Sequence, residues 1–256
     1  MIDAHAHLLS EKLNASQIIN NMNNDGLEYI INVGTSVADS QQGIILAQNN
    51  AKVYTTVGIH PEYADLVTQQ DLDELQNLAT QQKVVAIGEI GLDYHYGAND
   101  QQRQKQQRVF IAQIKIAGKC GLPIVIHCRD AVEDVLAILK ENKQYITNGF
   151  CMHCYSEGAQ YAQEFINLGA YLSFTGNITY KKTDRSYLPS LPLNKIMIET
   201  DCPYLSPETV RGTVNQPKNV VFTAQKIADC LQIRLSDFLS IATQNTKTFF
   251  NINKCL

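Results

Sequence analysis

Eight short runs rich in β-branched and other apolar residues recur along this chain, spaced to leave room for a helix between most of them. They begin near Met1, Tyr29 (YIINVG), Val53 (VYTTVGIH), Val84 (VVAIGEIG), Pro123 (PIVIHC), Phe150 (FCMHC), Ala170 (AYLSF) and Lys195 (KIMIET). Strands apolar on both faces and followed by helices predict a parallel sheet covered on its outer side. Helical spacing follows in Leu72, Leu75, Leu78 and Ala79, and again in Val132, Val135, Leu136 and Leu139. Gln101 to Lys119 is a glutamine-rich segment with an apolar stripe of Val109, Phe110, Ile114 and Ala117, and it stops at Gly121. Pro217 opens a helix carrying Val220, Ala224, Ile227, Ala228 and Leu231, and a last helix is predicted from Ser236 as its N-cap. Eight such units in 256 residues fit an α/β fold, a closed (β/α)₈ barrel, as one domain over 1–256. A doubly wound sheet would usually carry a glycine-rich first turn for a nucleotide, and none follows the first run.

On that barrel the six histidines become informative. His5 and His7 end the first strand and, by the period of two, point to one side. His60 ends the third strand, His127 the fifth and His153 the sixth, while His95 lies in the loop after the fourth. Two acids take the same class of position: Glu89 in Gly88-Glu89-Ile90-Gly91 and Asp201 in Ile198-Glu199-Thr200-Asp201. C-terminal strand ends form the active face of such barrels. Four histidines and two carboxylates crowded onto one rim are costly to bury unpaired, and cations satisfy them. His60 precedes Pro61, which holds it extended for ligand orientation or substrate contact. Tyr94 and His95 are expected as solvated loop residues, and Glu199, on the same strand face as Asp201, as a residue that supports ligands or packs the barrel rather than a ligand.

The net charge of −4 gives no basic footprint for long, tight duplex binding. No charged-then-apolar leader and no run of 18 apolar residues occur, so a cytoplasmic protein without a membrane span is expected. The seven cysteines are odd in number and scattered; Cys151 and Cys154 form a lone C-x-x-C and read as buried thiols rather than half a zinc ribbon.

The order His-x-His, GIHP, GEIGLDY, PIVIHCR, a sixth-strand His, then ETDCPYL with a following RG-x-x-N-x-P resembles the TatD family of metal-dependent hydrolases and deoxyribonucleases, from residue 1 to about 250. The resemblance implies a barrel with two divalent metal ions and phosphodiester hydrolysis, often of DNA. Carried over by motif, it puts His5, His7, Glu89 and Asp201 on one metal and Glu89, His127 and His153 on the other, with Glu89 bridging. One departure is local: the sixth-strand motif usually reads His-x-Phe-Ser-Gly, and here it is His153-Cys154-Tyr155-Ser156-Glu157-Gly158. Two cations about 4 Å apart clamp both oxygens of an in-line displacement and lower the pKa of water, with Asp201 as general base. Arg129, Lys181 or Arg211 would neutralise the phosphate, Arg211 first because it follows the eighth strand, with His60 a further substrate contact. Histidine-rich ligation suits zinc, manganese or iron, while the resemblance implies magnesium, so the ions are expected to be Mg²⁺, Zn²⁺ or Mn²⁺. The expected substrate is DNA or another phosphodiester, taken from single-stranded ends by a monomer. An amide or ester hydrolase on the same barrel, or a non-catalytic metal-binding partner protein, are the alternatives.

Overall fold

The computed structural model describes residues 1–252. Its eight strands are β1 (Ile2–Ala6), β2 (Tyr29–Asn32), β3 (Val53–Val57), β4 (Val84–Asp93), β5 (Ile124–Arg129), β6 (Phe150–Met152), β7 (Tyr171–Phe174) and β8 (Ile196–Ile198). They pair in sequence order, each parallel to the next. The ring closes where Ala6 bridges Cys202: the His7 N–H donates to the Cys202 carbonyl at 2.9 Å, and the Asp201 N–H to the His5 carbonyl at 2.9 Å. The predicted (β/α)₈ barrel is the observed fold.

Around it run α1 (Ala15–Asn21), α2 (Val37–Gln48), α3 (Gln69–Leu78), α4 (Asp100–Cys120), α5 (Val132–Glu141), α6 (Gly158–Asn167), α7 (Val220–Leu231) and α8 (Leu235–Phe249). Local chemistry sets their ends. Thr68 and Asp71 form a reciprocal capping box on α3, as Asn99 and Gln102 do on α4. Gly121, at φ 67°, takes the left-handed conformation that stops α4. The β7–β8 crossover contains short 3₁₀ turns and no α-helix, because Pro189 and Pro192 remove N–H groups that a helix would need there. One expectation is corrected: α8 begins at Leu235 after Arg234, not at a Ser236 cap, and Arg234 makes no capping bond but pairs with Asp237 at 2.7 Å.

Two apolar layers result. One lies between strands and helices and includes Ile30, Val57, Ile87, Phe110, Ile126, Phe165 and Phe238. The other fills the barrel floor with Ile31, Tyr54, Val125, Cys151 and Met197, joined by Phe249 and Phe250 from the end of the chain's last helix. The period of two then decides what stands above that floor. Two residues beyond Val125, Cys151 and Met197 come His127, His153 and Glu199, so the strands that pack the floor also deliver polar groups to the upper rim.

Candidate metal centre

All six residues expected as ligands meet at that rim. Glu89, on β4, is buried and stands at their centre. Its Oε2 faces His5 Nε2 at 3.4 Å and His7 Nε2 at 3.7 Å. Its Oε1 faces His127 Nδ1 at 2.7 Å, His153 Nε2 at 2.9 Å and His60 Nε2 at 3.6 Å. Asp201 Oδ1 completes the first group, 3.1 Å from His7 Nε2 and 3.7 Å from His5 Nε2. Two nitrogens or oxygens bound at about 2.1 Å to one tetrahedral cation would stand about 3.4 Å apart, so the separations of 3.1 to 3.7 Å among His5, His7, Glu89 and Asp201 suit a shared ion, while His127 and His153 meet Glu89 at hydrogen-bond distance.

His5 supplies a second test of fit. It is fully buried, and neither of its ring nitrogens has a hydrogen-bond partner among the described residues. An orphaned pair of buried nitrogens is rare, and a cation between His5, His7 and Asp201 would satisfy Nε2. His60, Glu89 and His127 form another group close enough to share an ion, and His5, His153 and Glu199 a third.

The electrostatics agree with such a use. Burial would push the Glu89 carboxyl up, but the neighbouring charges of His153 and His60 and the bonds from His127 and His153 hold it well below its ordinary range. Burial likewise raises Asp201, and His7 outweighs it, leaving an ionised carboxylate. Burial lowers His5, reinforced by the charge of His153. His153 goes far the other way: burial disfavours its charge, but Glu89 and Glu199 overcome that. Burial brings His60 down to about 4 against the attraction of Glu89, and its Nδ1 accepts the Glu62 N–H at 3.2 Å.

Further groups support the ligands, and of these only Glu199 was expected in such a role. Asp93 Oδ2 stands 3.1 Å from His127 Nε2, and Glu199 Oε1 stands 3.1 Å from His153 Nδ1 while accepting the Cys154 N–H at 2.6 Å. Carboxylates behind histidines fix ring orientation and tautomer. Asp93 was readable: it lies two and four residues beyond Gly91 and Glu89 on one face of β4. Beneath His5, Asp3 accepts from the Thr200 N–H at 2.8 Å and the Thr200 hydroxyl at 2.5 Å, tying β1 to the end of β8. Gln113 and Gln106, two turns apart on α4, each bracket one residue's backbone. Gln113 accepts from the Ile59 N–H at 2.8 Å and donates to its carbonyl at 3.0 Å; Gln106 does the same for Asp93, at 2.9 and 2.9 Å. The helix thereby pins the residue before His60 and the carboxylate behind His127.

The centre opens into a cavity of about 670 Å³ walled in part by His7, His60, His127, Arg129, Cys154 and Tyr204. Of the cations expected at phosphate, Arg129 reaches it; Arg211 and Lys181 do not line it. Arg211 instead pairs with Glu208 at 3.2 Å and lies over Tyr180. Tyr94 is also not the solvated residue expected, being buried with its hydroxyl on Asp134 at 2.8 Å; His95 is exposed and paired with Asp130 at 2.7 Å. Cys151 is buried, and Cys154 meets the cavity, but burial pushes the Cys154 thiol up to about 12, so it is no thiolate at neutral pH. Among the described residues no helix is long and apolar enough to cross a membrane.

The family model for TatD related DNase matches residues 2–251. YabD of Bacillus subtilis (strain 168), described as an uncharacterized metal-dependent hydrolase, is 37% identical, with 99% of this chain and 100% of that protein covered. The 3'-5' ssDNA/RNA exonuclease TatD of Enterobacter lignolyticus (strain SCF1) is 36% identical over 197 residues, 76% of this chain and 75% of that one. The crystal structure of YjjV, a TatD homolog from Escherichia coli K12, superposes with a TM-score of 0.91 at 27% identity, covering 98% of each chain.

Proposed function

The chain belongs to the TatD related DNase family of metal-dependent hydrolases, and from that premise we propose that it hydrolyses phosphodiester bonds at the ends of single-stranded DNA with two divalent cations. One observation carries the reading: Glu89 turns one oxygen to His5 and His7 and the other to His127 and His153, the disposition a carboxylate needs to serve two ions at once. The relative named as an exonuclease on single strands supports the substrate class.

When bound, the cations would supply Lewis acidity toward the phosphate and the attacking water. His5, His7, Glu89 and Asp201 would hold one, and Glu89, His127 and His153 the other. The remaining work belongs to the chain's own groups. Asp201 lies in the cavity wall beside His7 and is held ionised, so it can take a proton from water as general base. Asp93 and Glu199 fix the rings of His127 and His153. Arg129 stands over Tyr96 at the cavity wall, where its guanidinium can meet a phosphate oxygen. Among the described residues no lysine lines the cavity to bridge two metals as a carbamate, which disfavours the amidase reading.

The test is a matrix of Mg²⁺, Mn²⁺ and Zn²⁺ against single-stranded DNA, duplex DNA, RNA and small esters, with Glu89→Gln in parallel. Expected is metal-dependent loss of single-stranded DNA that Glu89→Gln abolishes. Undiminished turnover in Glu89→Gln with metals stripped would sink the proposal.

A further inference from the structure

The catalytic cavity has two neighbours of opposite character. On one side it shares Glu62, Asp93 and Tyr96 with a cleft of about 200 Å³ that also presents Asp65. That cleft carries three carboxylates and no cation in its lining, although Lys105 pairs with Asp65 from outside at 2.9 Å. On the other side, the loop after β1 and the loop after β8 run from the catalytic cavity into a groove of about 250 Å³. Leu9, Ser10 and Tyr204 wall the cavity; Lys12, Asn14, Val214 and Lys218 wall the groove. Lys12 joins the two, its ammonium 5.5 Å from the centroid of the Tyr204 ring. Tyr204 is 53% exposed, and neither lysine has an ion-pair partner among the described residues. The groove's lining adds amide side chains and a single carboxylate, Asp25.

A polyanion threading this molecule would be repelled by the first neighbour and drawn to the second. An exposed aromatic ring followed by spaced cations is also how proteins hold single strands without reading sequence. We propose that a single-stranded polynucleotide leaves the metal centre over Tyr204 and continues along the Lys12–Lys218 groove, with one base stacked on Tyr204 and two phosphates neutralised by the lysines. This rests on the phosphodiesterase reading and sharpens it. Of the two neighbouring clefts only this one presents unpaired cations among the described residues, and a strand led away on one side fits removal of residues from an end.

The experiment compares wild type, Tyr204→Ala, Tyr204→Phe and the double variant Lys12→Ala/Lys218→Ala, with Lys140→Ala as a distant control. Binding of a fluorescein-labelled twelve-residue oligodeoxythymidylate is followed by anisotropy from about 50 to 200 mM salt. Initial rates are taken on that oligonucleotide and on bis(p-nitrophenyl) phosphate. In the double variant the slope of log Kd against log salt becomes shallower by about 1.4, or about 0.7 for each phosphate contact removed from a single strand. Tyr204→Ala weakens binding about 5- to 150-fold, the worth of one stacked base, with the slope kept, and Tyr204→Phe restores it. The oligonucleotide KM rises far more than that of the small diester. Hydrolysis of both substrates by wild type, with a slope the double variant leaves unchanged, overturns the groove while the phosphodiesterase reading stands. A slope that falls as expected in a protein hydrolysing neither substrate supports the groove and removes that reading. Absence of wild-type binding overturns the groove.

Discussion

His5 and His153 lie face to face, their ring centroids 4.0 Å apart and their planes 8° from parallel. Two imidazolium ions could not share that arrangement in a buried site. Glu89 and Glu199 flank His153 and favour its proton while no cation is bound, and His5 is left neutral, the form that a metal ligand requires; His153 must release its proton before it can join a cation. Replacing His5 with Phe keeps a stacked ring and removes both nitrogens. The variant should keep its circular dichroism spectrum and retain less metal than wild type after dialysis, read by inductively coupled plasma mass spectrometry. Unchanged metal content would take His5 out of the ligand set.

Asp3 offers a pH signature. Burial raises its carboxyl from the ordinary 3.8 to about 8 despite the bonds from Thr200 and His5. Its folded value lies above its unfolded one, so the native state keeps a proton that the unfolded chain has released. Stability from this group is therefore present at low pH and lost as pH rises from about 4 to about 8. Asn at this position keeps an acceptor for the Thr200 N–H and a donor for its hydroxyl, without titrating. The melting temperature of Asp3→Asn minus that of wild type should grow between about pH 5 and pH 8. A constant difference over that span would contradict the assignment.

The Gln113 bracket should be visible in stability. Gln113→Leu keeps the volume but leaves the buried N–H and carbonyl of Ile59 without their partner. At about 1–3 kcal/mol for each orphaned group, the loss should be about 2 kcal/mol or more in urea unfolding. An unchanged midpoint would mean that the backbone finds other partners.

Arg129 and Arg211 are separable by kinetics. Arg129→Ala should raise the KM for single-stranded DNA about tenfold, the cost of one charge-assisted bond of roughly 1.5 kcal/mol. Arg211→Ala, outside the cavity and already paired with Glu208, should change it less than twofold. Equal effects would show that the loop after β8 moves to the substrate.

The barrel was legible because its signals are local and repeated: each strand is short, apolar on both faces and followed by a turn. The convergence of His5, His7, Glu89, His127, His153 and Asp201 was legible for the same reason, since strand ends in one parallel ring share one face. What stayed hidden depends on tertiary geometry. Gln106 and Gln113 sit among six glutamines between 101 and 113, and nothing in the sequence marks them out from the others until the neighbouring loops close over them. Arg211 follows the right strand, but the loop turns its side chain to Glu208. The start of α8 at Leu235 owes more to the Arg234–Asp237 pair than to the nearest serine.

Closure of the ring by the bonds between His5, His7, Asp201 and Cys202 has a consequence for biosynthesis. His5 and Asp201 are separated by 196 residues, the difference of their numbers. At about 5–20 residues per second of synthesis, His5 and His7 join the chain about 10–40 s before Asp201 does. Until then half of the candidate centre has no counterpart, so a nascent chain cannot assemble its full set of ligands. The site is complete only when the last strand reaches the first.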